Sequence, residues 1–475
     1  MNMSADTELA IEPLQTLLNK QRNAYQLAPA PSAQDRIKQL KSLKHALLKH
    51  KDKLVGALNK DYGQRPADDS LIADIMPCVM NINYTIKRLK KWMKPQRRHA
   101  GLLLAPASVE VHYQPLGVIG IMVPWNFPVM LSIGPLITAL AAGNRAMIKL
   151  SEFTPNTNKA IIDMLASVFD EETVAVVEGE ADVATKFSAL PFDHLIFTGS
   201  TRVGRYVMKA AAENLTPVTL ELGGKSPVII APDMPIATAV ERLIYGKCLN
   251  AGQICVAPDY IFCPHDRVDE FVSEYQKKYQ SMYGKQQTSE DYANVINENQ
   301  HGRLLSWLDD AKAKGAKLVP ANGQDIDRSS RHLATQLVTN TTDDMLLMQQ
   351  EIFGPILPII GYKSIDEATR YINDRPRPLA LYIMSFDTET QQHLLKHTHS
   401  GGVCINETVL HVAADDAPFG GVGASGMGHY HGHEGFLTFS KAKTVLKRGK
   451  LNTGTLVHPP YGKFIQKLLL KTFLR

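Results

Sequence analysis

From residue 116 onward the sequence breaks into short apolar runs set beside turn residues: "GVIGIMVP", "RAMIKL", "AVVEG", "HLIFTG", "PVTLEL" and "SPVIIA", most of them separated by stretches of helical character. A strand that is apolar on both faces must be covered on both faces, and a helix between two such strands is the crossover that a parallel pair requires. The chain is thereby committed to the α/β class with a parallel sheet. After Gly223 the alternation starts again, through "RLIYGKCLNAGQICVAP", "DYIFCP", "ILPIIGY" and "LALYIMSF". Because a single core stops growing well short of 475 residues, the two series predict two α/β domains. Upstream, residues 34–96 carry apolar residues at helical spacing with many lysines between them, and predict helices with solvated basic faces.

Composition removes several functions. The net charge is +5, with basic and acidic residues interspersed in most segments, which does not suit a nucleic-acid partner. The five cysteines, Cys78, Cys248, Cys255, Cys263 and Cys404, are odd in number and form no C-x-x-C, so neither a disulfide framework nor a zinc ribbon is expected. The start, "MNMSADTELAIEP", is polar and acidic and lacks the apolar core of a secretory signal; a cytoplasmic location is expected. The most apolar stretch, residues 117–144, is interrupted by Pro124, Asn126, Pro128 and Pro135, and predicts strand, loop and buried helix instead of a membrane span.

The chemistry gathers in a few short segments. "NAGQICVAPD" sets Cys255 among small residues, where a backbone can approach a ligand and where a thiol at a helix start or beside a cation is lowered in pKa and nucleophilic. An isolated cysteine is more often a small buried hydrophobe, the role given to Cys248 and Cys263; Cys255 is set apart by its company. Glu221 ends a strand in "PVTLELGGKSP", where α/β sheets hold their ligands, and is a candidate general base. Asn126 sits in "VPWNFPV", a stiff turn between aromatics and prolines that suits an amide donor. "HLIFTGSTRVGRYVMKAAAE" is a strand, a Gly199-Ser200 turn and a helix whose first N–H groups can take a pyrophosphate. Lys149 and Glu152 in "MIKLSEFTP" suit ribose hydroxyls, and Glu351 and Phe353 in "QQEIFGPILP" suit ribose contact and ring packing. Taken singly, each reads as well as an ordinary turn or loop residue.

In order, "PWNFP", "IKLSE", "FTGSTRVG", "LELGGKSP", "GQICVAPDY", "EIFGPILP" and "PFGGVGASGMGHYHG" resemble the motif series of the NAD(P)-dependent aldehyde dehydrogenases across residues 110–445. The glycine-rich ending is similar to the class 3 branch, and the basic helical region to its coniferyl aldehyde dehydrogenase subgroup. The resemblance implies a Rossmann-like cofactor domain over residues 1–222 with an oligomerisation hairpin inserted at 97–115, and a catalytic α/β domain over 223–420. A return and oligomerisation strand at 421–450 and an amphipathic tail at 451–475 complete it. Cys255 becomes the nucleophile, Glu221 the base, and Asn126 with the Cys255 N–H the oxyanion hole; Lys149, Glu152, Gly199, Ser200, Gly204, Glu351 and Phe353 become cofactor contacts. NAD is the implied cofactor, with NADP accepted less well, the substrate an apolar or aromatic aldehyde, and the assembly a homodimer. The presence of Glu221 favours water over coenzyme A as the final acceptor, and the joint presence of cysteine, base, amide and cofactor motifs argues against an idle binding protein.

Four features stand apart from that pattern. Leu150 replaces a family proline and is expected to relax the strand's exit, and Arg145 is expected as an exposed strand-start charge. His429, His431 and His433 alternate, as they would along one face of a strand, but nothing completes a zinc site and no metal is expected. The tail "PPYGKFIQKLLLKTFLR" spaces Lys463, Lys467, Lys471 and Arg475 by four among Phe464, Ile465, Leu468, Leu469 and Phe473, which predicts a short basic amphipathic helix. It is expected to dock on its own subunit or a dimer partner, with peripheral contact to an anionic membrane as the alternative, and "TFSKAKTVLKR" is expected to pair across subunits.

Overall fold

The structure, a computed structural model, describes residues 12–474; the acidic first eleven residues and Arg475 of the tail stripe lie outside the described residues. One sheet is built from β3 (Val118–Met122), β4 (Arg145–Lys149), β5 (Val174–Val177), β6 (His194–Thr198) and β7 (Val218–Glu221), all parallel, with the two-residue β15 (Gly426–Met427) antiparallel on β7. The order is β15-β7-β6-β3-β4-β5. Register aligns the strand ends: Met122 pairs with Lys149, Lys149 with Val177, and Thr198 with Glu221. Lys149, Thr198 and Glu221 therefore leave the sheet along one edge, the carboxyl edge of a parallel sheet, where ligands bind.

The second sheet holds β8 (Pro227–Ile230), β9 (Tyr260–Pro264), β10 (Lys317–Pro320), β11 (Gln336–Thr339), β12 (Ile356–Tyr362), β13 (Ala380–Met384) and β14 (Gly402–Ile405), in the order β10-β11-β12-β9-β8-β13-β14. Only β10 runs antiparallel to its neighbour. The third sheet is antiparallel and small: β1 (Gln96–Arg98), β2 (Ser108–Pro115) and β16 (Ser440–Lys447). Here β16 pairs within the chain, along β2 from Ser440 opposite Pro115 to Lys447 opposite Ser108, and among the described residues its other edge carries no strand.

The basic helical region becomes a long helix, Ala33–Tyr62, then a short turn of π-helix and the helix Met76–Trp92. Ser32 and Asp35 form a reciprocal capping box at its start, and Gly63, at φ 72°, ends the long helix in the left-handed conformation that glycine adopts without strain. Both long helices bury leucines and isoleucines against the helix Pro128–Ala142 and the first sheet.

Several expectations are corrected. Leu150 tightens the strand exit instead of relaxing it, because its N–H donates to Val177 O at 3.0 Å, a bond that proline cannot make. Arg145 is not a free surface charge: its guanidinium donates to Glu172 O at 2.7 Å and to Ala24 O at 2.9 Å, tying the helix Glu12–Leu27 to the sheet. The histidines do not share a strand face. His433 lies in the helix Gly432–Thr438 beside Trp92, while His431 stacks on Phe419 at 5.2 Å. Among the described residues no group of three or more His, Cys, Asp or Glu is disposed to hold a metal, and no helix is long and apolar enough to cross a membrane. The tail forms the helix Phe464–Phe473, and among the described residues little of the chain covers its apolar face. Only Gln466 is buried, and Phe464 is 79% exposed.

Candidate active site

The helix Ile236–Cys248 ends in a turn that bends the chain sharply before Cys255. Asn250 and Ala251 sit at φ 49° and 53°, and Gly252 follows at φ 70°. Non-glycine residues in this region cost about 1–3 kcal/mol each and persist only where surroundings hold them. The surroundings are explicit. Asn250 Nδ2 donates to Asn126 O at 3.2 Å, and Gln253 Nε2 donates to Asn250 O at 2.9 Å and to Asn294 O at 3.1 Å. Ile296 N–H in turn donates to Gln253 Oε1 at 3.0 Å. Gly252 is required here, since a Cβ would stand 2.7 Å from Gly354 O.

This turn delivers Cys255 to a cleft of ≈ 740 Å³ between the two large sheets. Of the residues singled out in the sequence, Cys255, Glu221, Asn126, Gly199, Ser200, Glu351 and Phe353 line it together, while Lys149, Glu152 and Gly204 do not. Lys149 Nζ lies beside Glu152 at 3.6 Å and donates to Leu150 O at 2.8 Å and to Gly179 O. Gly204 serves packing: a Cβ there would meet Leu222 Cδ2 at 2.8 Å, so its absence lets the helix Thr201–Ala212 lie close on the chain just past β7.

The cleft is lined by two carboxyl groups, Glu221 and Glu351, and two guanidinium groups, Arg202 and Arg303, and both carboxyl groups resist ionisation. Both carboxylate oxygens of the buried Glu221 lack a hydrogen-bond partner, and burial holds its carboxyl well above the usual range. Burial, with Asp259 nearby, pushes Glu351 up to about 8. The Cys255 thiol departs from the lowered value its motif suggests: burial, then the neighbouring Glu351 and Glu221, push it up to about 12. Asn126 donates its side-chain N–H to Gln253 O at 3.1 Å, so its amide plane is fixed against the cysteine loop.

Sequence reasoning missed the outer wall. Trp125 meets Phe353 edge-on at 5.2 Å, and Arg303 lies over the Trp307 ring at 4.5 Å while donating to Ile352 O at 2.8 Å. These contacts hold Phe353 in its left-handed backbone conformation, φ 47°. Arg303 and Trp307 stand four apart in the helix Glu298–Ala313, a spacing that reads equally well as an ordinary amphipathic helix.

A single family description accounts for both sheets and the cleft: the model for "Aldehyde dehydrogenase family" matches residues 12–445. The chain belongs to the aldehyde dehydrogenase family. It is 56% identical to the probable coniferyl aldehyde dehydrogenase of Pseudomonas aeruginosa over 98% of this chain and 97% of that one. Its fold superposes on the substrate-bound AldH of Staphylococcus aureus with a TM-score of 0.92, at 37% identity over 100% of both chains. A betaine aldehyde dehydrogenase of Staphylococcus aureus solved with NAD+ matches with a TM-score of 0.82, at 26% identity over 92% of this chain and 87% of that one. The enzyme is an NAD(P)-dependent oxidoreductase that converts an aldehyde to its carboxylic acid. Its cleft suits a dinucleotide, because the opening turn of the helix Thr201–Ala212, at Ser200, Thr201 and Arg202, lines the cleft and turns the positive end of the helix toward it.

Proposed function

We propose that the enzyme oxidises an apolar or aromatic aldehyde of the coniferyl aldehyde type through an acyl-thioester on Cys255. The observation that carries this reading is the convergence on one cleft of Cys255, Glu221 and Asn126, from segments well separated in sequence. The Cys255 thiol passes its proton to solvent water and its sulfur bonds to the aldehyde carbon, while the carbonyl electron pair moves to oxygen. Asn126 Nδ2 and the Cys255 N–H hold that oxyanion. Donors fixed in advance against a water-poor wall are worth about 3–4 kcal/mol each in comparable sites. Bound NAD(P) supplies the hydride acceptor. With the hydride gone, the carbonyl re-forms as a thioester. Glu221 then takes a proton from water, the hydroxyl bonds to the acyl carbon, the carbon–sulfur bond breaks to release the acid, and Glu221 passes its proton to the departing Cys255 sulfur, which restores both the thiol and the carboxylate.

Glu221 must ionise to do this. Its two unpartnered oxygens explain how: water entering the cleft supplies the hydrogen bonds that stabilise the carboxylate and bring its pKa down. Gly199 and Ser200 hold the pyrophosphate, Glu351 and Phe353 the nicotinamide ribose, and Lys149 with Glu152 the adenosine ribose. Glu152 accepts two hydroxyls but repels a 2′-phosphate, which favours NAD over NADP. Aromatic substrates suit the walls of Trp125, Phe353 and Trp307 and the printed name of the Pseudomonas aeruginosa relative. The open edge of β16 supports a homodimer, and the exposed tail helix a contact either with the partner subunit or with an anionic membrane surface. Five unpaired cysteines suit the cytoplasm.

The test is nicotinamide reduction followed at one enzyme concentration with coniferyl aldehyde, benzaldehyde and hexanal, each with NAD and with NADP. The reading expects the highest kcat/KM for coniferyl aldehyde with NAD. A preference for hexanal, or strict dependence on NADP, contradicts the substrate or the cofactor part respectively.

A further inference from the structure

One buried group behind the cleft has no part in the chemistry above. Arg65, in "GQRPADDS", is fully buried and forms an ion pair with the equally buried Asp74, Nη2 to Oδ2 at 2.9 Å. Its other arm donates from Nη1 to the backbone carbonyl of Asn126 at 3.0 Å. Tyr62 Oη donates to the same oxygen at 3.0 Å and Asn250 Nδ2 at 3.2 Å. Three donors thus converge on one carbonyl, that of the residue whose side chain faces the cleft. The guanidinium is also held between the rings of Tyr62 and Phe127, 5.0 and 4.9 Å from their centroids. Asp74 completes the frame, since its Oδ1 accepts the N–H of Met130 at 2.8 Å and so anchors the first turn of the helix that follows Asn126.

We infer that Arg65, with Asp74 and Tyr62, is the positioning element of the oxyanion donor Asn126. Burying an ion pair gains little stability over well-packed apolar side chains of similar size, so what this pair contributes is geometry. Asn126 is fixed on three sides. Its carbonyl is clamped by Arg65, Tyr62 and Asn250, its side chain donates to Gln253 O, and the backbone after it is tied to Asp74. A sub-ångström drift of this turn moves the amide away from the oxygen it must meet, and transition-state donors are sensitive to such drift. The basic helical region at the start of the chain therefore reaches the chemistry through Tyr62, Arg65 and Asp74.

The inference rests on the reading of Asn126 as oxyanion donor, and a double-mutant cycle separates the two. Four variants are compared with the native enzyme for kcat, KM, the NAD dissociation constant and melting temperature: Asn126→Ala, Arg65→Met/Asp74→Leu, the triple combination, and Arg65→Lys. The apolar pair leaves no unpaired buried charge, so it is expected to fold with a melting temperature near the native one and to bind NAD within about twofold of native. Its kcat is expected to fall by about 10²-fold, in the range seen on losing one oxyanion donor. The triple variant is expected to lose no more than Asn126→Ala alone, because both changes remove the same interaction. Arg65→Lys, which keeps the charge and loses the fork, is expected to fall between. Native kcat in the apolar pair with Asn126→Ala impaired overturns the positioning role alone, and so do losses that add in the triple variant. Native kcat in Asn126→Ala overturns the oxyanion reading and the inference together. If the apolar pair does not fold, a native kcat in Arg65→Lys overturns the inference by itself.

Discussion

The cleft around Cys255 and the surface made by β16 and the tail helix are opposites in how their side chains are held. At the cleft, a strained turn of Asn250, Ala251 and Gly252 is fixed by hydrogen bonds to residues more than forty positions away in sequence, and burial raises the pKa of Glu221, Glu351 and Cys255. At the tail, Phe464, Leu468, Leu470 and Phe473 stand in solvent beside lysines, with Gln466 alone buried. Local strain is tolerable where partners over-determine the backbone, and that is where we place the chemistry; the exposed surface carries the kind of apolar pattern that marks an interaction site. Changes in the cleft should therefore act on turnover, and changes in the tail on recognition.

The largest expected effect is at Cys255, the proposed nucleophile. Cys255→Ala should lower kcat by about 10⁴-fold or more while NAD still binds, judged by quenching of protein fluorescence. Residual turnover within tenfold of native would erase the distinction between the two regions. Next is Asn126→Ala, expected to lower kcat by about 10²–10³-fold with little change in cofactor affinity.

A third prediction uses the raised acids. Glu351 holds a proton up to about 8 in the folded state but loses it near its ordinary value of 4.5 when unfolded, so the stability this group contributes is present below that range and is lost as pH rises through about 8. Melting temperatures taken from pH 5 to pH 9 should fall across that window, and Glu351→Gln should flatten the fall; identical curves would remove the claim that the cleft resists charge. Fourth, Gly204→Val should destabilise the fold by about 1–3 kcal/mol, read by urea unfolding, because its side chain would be driven into Leu222. The smallest effect belongs to the tail. Removing residues 460–475 should change the unfolding free energy by no more than about 0.5 kcal/mol while altering kcat/KM among aldehydes of different length. Unchanged preference across the panel, together with an unchanged oligomeric state, would mean that the exposed face is not used in recognition.

What was legible in the sequence follows the same division. The parallel strands could be read because burial on both faces leaves continuous apolar runs, and Glu221 could be placed at a ligand-binding edge because parallel register aligns strand ends. The amphipathic tail was equally legible, but not that its apolar face is left largely exposed among the described residues. Other features depend on contacts that no local pattern records. Arg65 looks like a loop charge in "GQRPADDS", yet it is buried against a turn sixty residues on. Arg145 looks like a strand-start charge, yet it holds the first helix. The cysteine motif suggested a lowered thiol, but motif identity says nothing of the two carboxyl groups that folding brings beside it.

The central claim is that acyl transfer passes through Cys255 with Glu221 as the base that ends it. Glu221→Gln, mixed rapidly with NAD and an aromatic aldehyde, tests both at once, because hydride transfer precedes the step that needs the base. The account predicts a burst of reduced nicotinamide close to one per active site, followed by slow turnover, with the acyl group found by mass spectrometry on the peptide that contains Cys255. A variant that shows no burst and no adduct, or one that turns over at the native rate, would contradict it.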